Sequence, residues 1–317
     1  MFLSCGDALF DLFAGGEEAD VASIALSGRI GGSPLNVALG LARLGHPTAY
    51  FTKVSGDPFG RRIRAFMERE GIDQQFLIET TRNTTLAMVS LSSAGTPRYD
   101  FYIEGTADRS IEPGEVPSAL PDAVEAIHLA SYSTVTEPTA SALARLAAQE
   151  HGRRFISYDP NIRASIEPDL DIWRSRIGAT VPLAALVKAS EEDLEQVYPG
   201  RSVESVLADW ITAGASLAVV TLGEHGAVAA TRSGVTARSP GRSITVADTV
   251  GAGDTFQAAL LAGLKEGGHL SAEAAGSLGE EALGELLGFA VRAAAITCSR
   301  RGADLPRRAD LDLAPLA

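Results

Sequence analysis

Short apolar runs and helix-length patterns take turns along the chain from Ala126 onward, and that alternation restricts the fold more than any other feature. Residues 127–130, 155–158, 185–188 and 217–222 read as buried strands, and helical patterns over 137–150, 191–197 and 202–213 separate them. A strand that pairs in parallel with the next needs a crossover to carry the chain back, and a helix supplies it. The pattern therefore predicts an α/β fold with a central, mostly parallel sheet flanked by helices and right-handed crossovers. Residues 1–5 and 50–54 add two more strands, 58–70 reads as a helix closed by Gly71, and two long helical patterns, 254–266 and 271–299, end the chain.

Residues 75–105 break the rhythm. Stretches 84–92 and 99–103 are β-like and are joined by Ser93-Ala94-Gly95-Thr96-Pro97, which signals a hairpin rather than a crossover. The expectation is one domain over 1–317, with a small β-sheet lid inserted from about 10–30 and 84–107. Tyr99, Phe101 and Tyr102 are aromatic candidates to cover a substrate from it.

Composition narrows the function. A chain of 317 residues with 45% hydrophobic and 21% charged residues buries a substantial core and is not a disordered protein. Its net charge of −13 repels phosphate backbones and anionic lipid, so nucleic acid and membrane are excluded as partners. No apolar run approaches the roughly 18 residues of a membrane span. Cys5 and Cys298 fit neither a disulfide framework nor a zinc spacing, and a reducing, cytoplasmic setting is expected.

The strongest local feature is Asp248-Thr249-Val250-Gly251-Ala252-Gly253-Asp254, followed by an apolar helix. Gly251, Ala252 and Gly253 let the backbone approach a ligand closely, and the N–H groups of the helix start attract an anion. Asp254 falls in the first turn, where a carboxylate can take a proton from an attacking hydroxyl. A second tight turn, Gly31-Gly32-Ser33-Pro34-Leu35-Asn36, precedes another helical pattern that Gly45 closes; Ser33 is the expected N-cap and Pro34 the first helical residue. Asp7 and Asp11 are expected on the loop after the first strand. Asp159-Pro160-Asn161-Ile162-Arg163 and Thr221-Leu222-Gly223-Glu224-His225-Gly226 end two later strands. Ligands of open α/β sheets bind at those ends.

On these motifs the sequence resembles the ribokinase-like (PfkB) carbohydrate kinases over nearly its whole length, from Gly6-Asp7 to Arg300-Arg301-Gly302-Ala303. Gly32-Ser33-Pro34, Lys53 to Gly60, Asp159 to Arg163 and Lys188-Ala189-Ser190-Glu191-Glu192 resemble its fructokinase branch. The resemblance implies that Asp254 is the base for a sugar hydroxyl, and that Gly251, Ala252 and Gly253 form an anion hole. It implies that Asp11, Gly31, Gly32 and Asn36 bind sugar hydroxyls, with Asn161 and Arg163 also on the substrate side. Lys188, Thr221, Gly223 and Gly226 would lie on the nucleotide side, and Asp248, with the backbone of 299–302, beside a monovalent cation such as K+. ATP and Mg2+ are the implied cofactors, and a homodimer paired through the lids is implied as the assembly. Two departures stand out. The branch often carries Arg-x-Pro-Ser-Ala-Asp after the lid aromatics, where this chain has Ile103-Glu104-Gly105-Thr106-Ala107-Asp108. The family's Asn-x-x-Glu, which acts on magnesium waters, appears as Ser190-Glu191-Glu192-Asp193.

The implied activity is transfer of the γ-phosphoryl of ATP to a sugar primary hydroxyl, with fructose as the sugar. The alternatives are a 2-keto-3-deoxygluconate, ribose or nucleoside kinase of the same family, and a catalytically silent sugar-binding protein on the same fold.

Overall fold

The computed structural model of the chain describes residues 1–14, 22–91 and 97–311, with side chains for all of these except 90, 91 and 97–99. The strands of the N-terminal part are β1 (Phe2–Cys5), β2 (Leu9–Ala14), β3 (Leu26–Gly31), β4 (Thr48–Ser55), β5 (Leu77–Thr80), β6 (Thr85–Leu91) and β7 (Pro97–Tyr102). Those that follow are β8 (Ala126–Ala130), β9 (Phe155–Asp159), β10 (Leu186–Ser190), β11 (Leu217–Thr221), β12 (Ala227–Thr231) and β13 (Thr236–Ser239). The helices are α1 (Ser33–Arg43), α2 (Pro58–Arg69), α3 (Thr139–Glu150), α4 (Leu170–Thr180), α5 (Glu191–Val197), α6 (Val203–Ala213), α7 (Ala252–Glu266), α8 (Ala272–Gly276) and α9 (Glu280–Cys298).

Among the described residues the large sheet has nine strands in the order β13-β12-β11-β10-β9-β8-β1-β4-β5. Pairing from β11 through to β5 is parallel, as the alternation predicts. Both faces are covered, so β1 and β8 are buried at every position. One face packs Leu143, Leu146, Trp173 and Trp210 onto Ile127, Ile156 and Val187. The other packs Leu41, Leu260, Leu264 and Leu287 onto Phe2, Leu186 and Val219. α7 lies inside the second layer, against α1 and α9, and every residue from Asp254 to Leu264 is buried. A helix that is apolar on all sides belongs in the interior, so its N-terminus is delivered to one fixed place.

The second sheet, in the order β3-β2-β6-β7, takes in the stretches expected to form a lid. It packs against α1 and α2, where Phe10 and Leu12 join Leu35, Leu39, Ile63 and Leu305 in one buried cluster. Its strands stop at Tyr102, short of the expected boundary near 107, because Ile103, Thr106, Ala107 and Asp108 turn inward and are buried in the body.

Several expectations are corrected. Asp11 is not on a loop but inside β2, paired with Arg29 of β3 and Ala87 of β6. The pattern over 271–299 is two helices, because Ser277 turns its hydroxyl back onto the carbonyl of Glu273 (2.9 Å) and ends α8. The N-cap of α1 is Gly32, with no side-chain cap, so Ser33 is the first helical residue and Pro34 the second. β12 and β13 extend the sheet antiparallel and had no signal, since Ala-Val-Ala-Ala-Thr is mostly alanine and shows no alternation. α4 buries only Trp173 and Ile177, too thin a stripe to read as periodicity.

Candidate phosphoryl-transfer site

Asp159 and Thr221 end the parallel strands β9 and β11, Lys188 lies on β10 between them, Gly31 and Gly32 lead into α1, and Gly251 leads into α7. Gly32 turns the chain into α1 with φ 115°, and a Cβ there would stand 2.4 Å from the carbonyl oxygen of Asp7. Only glycine fits such a conformation against such a neighbour. Gly251, in the left-handed region at φ 79°, starts α7 in the same way, and no side chain caps that helix. Ala252 N–H donates to the carbonyl of Thr249 at 3.2 Å, and the positive end of the helix dipole lies at this turn.

The two helix starts are tied together through Asp254. Its carboxylate is 7% exposed. Oδ1 accepts from Ser33 Oγ at 2.7 Å and Oδ2 from Asn36 Nδ2 at 2.8 Å. Ser33 is a residue that sequence reasoning placed in the wrong role, because a serine before Pro reads as a cap.

Lys188 lies within β10 and is buried, with Nζ 2.8 Å from Asp159 Oδ2 at the end of β9. A Cβ at Gly253 would come 3.2 Å from that Nζ, so the ammonium sits directly under the small-residue turn. Burial by itself pulls the lysine down, but Asp159, Asp193 and Asp254 together push it above its usual value, and it remains a cation at neutral pH. Asp159 Oδ1 and Asn161 Oδ1 are buried without a protein partner, and Asn161 has φ 44°. Arg163 is exposed, with Nη1 2.9 Å from the carbonyl of Ile162.

Two carboxylates flank the turn of α1. Asp11 points over Gly31, where a Cβ would meet its Oδ2 at 2.4 Å. Burial pushes Asp11 up to about 6 even though the Arg163 charge pulls it down. Asp7 is wholly buried; burial pushes it up to about 7, although Ser133 Oγ donates to its Oδ1 at 2.6 Å. The Asp248 loop is joined to the 298–302 segment: Gly302 N–H donates to Asp248 Oδ2 at 2.8 Å and Ala247 N–H to the carbonyl of Cys298 at 2.8 Å. Among the described residues no three His, Cys, Asp or Glu side chains converge as a metal cluster.

On the other side, Thr221 ends β11 and the turn Gly223–His225 leads to Gly226. A Cβ at Gly226 would lie 2.0 Å from the carbonyl of Ser239, so this glycine locks the shelf against the 239–241 segment. His225 faces solvent. Asp193 does not face the site with a free oxygen. Its Oδ1 accepts from Ile162 N–H at 2.8 Å, and its Oδ2 from Ser190 N–H and Oγ at 2.9 and 2.7 Å.

A cavity of about 560 Å³ runs from Asp11, Gly31 and Asn36 to Val250 and Gly302. Another, of about 620 Å³, lies at the opposite end of the sheet around Phe155 and Ala185 and includes none of the residues above. In the lid, Phe101 is half-buried against the core and Tyr102 is 61% exposed, while the side chain of Tyr99 is outside those described.

The sequence pattern of the pfkB family carbohydrate kinases matches residues 3–310. A fructokinase from Rhizobium leguminosarum bv. trifolii is 36% identical over 284 residues, covering 89% of this chain and 85% of that one. A fructokinase from Vibrio cholerae O395, solved with fructose, ADP and calcium ion, superposes with a TM-score of 0.81 at 28% identity, covering 98% of this chain and 97% of that one. A sugar kinase from Pyrococcus horikoshii in complex with ATP superposes with a TM-score of 0.83 at 25% identity, covering 100% and 99%.

Proposed function

As the chain belongs to the pfkB family of carbohydrate kinases, we propose that it moves the γ-phosphoryl group of ATP onto the primary hydroxyl of fructose, with Asp254 as the base. The observation that carries this reading is the carboxylate of Asp254, buried in the first turn of α7 and gripped on both oxygens from the first turn of α1. A base fixed in that way meets a hydroxyl in one orientation, which removes the entropy of searching for it. The N–H groups at the start of α7 and the Lys188 ammonium lie where negative charge develops on the transferring group, and such preorganised donors lower the barrier.

The sugar sits between body and lid. Asp11, Asn36 and the backbone at Gly31 and Gly32 take its hydroxyls, and Asn161 and Arg163 close the side toward the phosphate. Thr221, Gly223 and Gly226 form the shelf for the nucleotide. Mg2+ enters with ATP and supplies charge neutralisation on the phosphates. The hard, unpartnered oxygens Asp159 Oδ1 and Asn161 Oδ1 suit its hydration shell, whereas Asp193 spends both of its oxygens within the protein. The loop pair at Asp248 and 299–302 is the place for K+. Ile24, Leu26 and Tyr102, exposed by 60, 42 and 61%, support pairing of two copies through their lids. The free thiols Cys5 and Cys298 are in keeping with a cytoplasmic enzyme.

ADP release measured over fructose, ribose, 2-keto-3-deoxygluconate and nucleosides tests the substrate. Fructose is expected to give the highest kcat/KM. A sugar acid or nucleoside turned over far better would remove fructose and leave the kinase reading in place. No ADP with any of them would favour the silent binding protein.

A further inference from the structure

We propose that Ser33 is a positioning residue for the phosphoryl transfer: its hydroxyl holds Oδ1 of Asp254 and keeps the carboxylate correctly rotated while Asn36 turns to the sugar. The inference rests on the reading of Asp254 as the base. The local structure gives Ser33 no other task. It is not the N-cap of α1, since Gly32 holds that position and no side chain caps the helix. At the first helical position alanine forms helix better than serine, so propensity does not ask for a hydroxyl there. Ser33 is 7% exposed, and a buried hydroxyl needs a partner; the one it has is Asp254 Oδ1 at 2.7 Å.

Ser33 and Asn36 are three residues apart on one face of α1, so one helical turn presents two donors to the two carboxylate oxygens. Their duties differ. Asn36 lines the cavity that also holds Asp11 and Gly31, so a sugar competes for its amide. Neither Ser33 nor Asp254 lines it; they lie behind Asn36, buried against each other. The Ser33 bond survives when sugar enters, and it then fixes the carboxylate alone. A carboxylate held by one fixed donor keeps its remaining lone pairs aimed in one direction. The other groups that feel the Asp254 charge are Lys188 on β10, Asp159 at the end of β9 and Tyr50 on β4, and none of them is bonded to its oxygens.

The test uses the full-length enzyme with saturating ATP and compares wild type, S33A, S33T and D254N. For S33A, kcat is expected to fall about 10-fold, the size of one lost hydrogen bond to a charged group. KM for sugar and for ATP should stay within about twofold, so the loss is read in kcat alone. S33T keeps the hydroxyl and should restore kcat. S33A with wild-type kcat, at unchanged melting temperature, overturns the assignment. So does an S33T enzyme as impaired as S33A, which would mark the position as packing alone. D254N is the control on the premise: if it turns over like wild type, the base reading fails, whereas an inactive D254N beside a wild-type S33A removes only Ser33.

Discussion

The floor and the lid of the site are built on opposite principles. The floor is the meeting of α1 and α7, where buried Ser33 and Asn36 are bonded to Asp254, with the buried Lys188–Asp159 pair beside them. The small sheet expected to be the lid has four strands, packs Phe10 and Leu12 onto α1 and α2, exposes Leu26 and Tyr102 to solvent and turns Asp11 toward the cavity. Under the proposed function the contrast becomes a kinetic division between Asp254 and Asp11: the buried floor carboxylate would govern kcat, and the carboxylate on the small sheet would govern how sugar is selected and retained.

The largest effect that can break this division is at Asp254. D254N should melt close to wild type and bind ATP normally, with kcat lower by roughly 10²–10⁴-fold, the usual size of a general-base contribution. Turnover near wild type would end the distinction at once. The lid counterpart is D11A, for which kcat/KM for sugar should drop about 10²-fold because sugar hydroxyls lose a buried acceptor, while KM for ATP barely moves. The pH profile sharpens this. Asp11 is pushed up to about 6 by burial, so lowering the pH through that value protonates it and removes its acceptor charge. Wild-type kcat/KM for sugar should therefore fall on the acid side of about pH 6, and D11N should lose that limb. A D11A enzyme weakened toward ATP instead would reverse the assignment of the two sides.

A smaller effect concerns motion. Amide exchange over 85–91 and 97–102 should slow several-fold under saturating sugar, whereas exchange in α7, already buried, should hardly change. Equal protection in both would mean that the lid is static packing. The smallest effect separates Asp7 from the working carboxylates. Its native form holds a proton up to about 7, against an ordinary value of 3.8. It therefore contributes stability that is complete below about 3.8 and lost as pH rises through 7. D7N, which cannot ionise, should gain in melting temperature relative to wild type by a few degrees more at pH 8 than at pH 5, by calorimetry. No change in that difference would show that Asp7 remains charged in the fold.

The sequence made the floor easier to read than its bonds. Small-residue turns before apolar helices point to an anion site, and strand ends point to one edge of the sheet, so Asp254 could be read as a site residue, whereas the burial of Lys188 and its bond to Asp159 could not be read. Neither could the partners of Asp254. Nothing in Gly31-Gly32-Ser33-Pro34 tells whether Ser33 caps its own helix or reaches another one that starts 219 residues later, at Ala252. The lid was legible as two β-like stretches, but Asp11 read as loop because a strand residue aimed at a cavity breaks the apolar pattern. The departure after the aromatics also takes a physical form. Ile103, where the fructokinase branch often has arginine, is buried in the core, and Asp108 is bonded to Tyr132 (2.5 Å), Thr85 and Thr106. That segment anchors the base of β6 to the body instead of reaching for substrate.

The chain crosses between body and lid four times, before Leu9, after Gly31, before Thr85 and after Tyr102. These crossings fall almost on one rung of the small sheet, where Leu9 pairs with Gly31 and Thr85, and Leu86 with Tyr102. A plate attached along one line has a single easy motion, rotation about that line, and sliding or twisting would tear ladder hydrogen bonds. Lever arms follow from the strand rise. Asp11 is two residues from the axis, about 7 Å, and Ala14 is five residues away, about 17 Å. Each ten degrees of rotation therefore carries Asp11 by only about 1.2 Å but the far end of β2 by about 3 Å. Under the proposed function, the sugar-reading carboxylate would ride near the pivot and stay in register through such a rotation, while the sweep that shuts out water would be left to the rim.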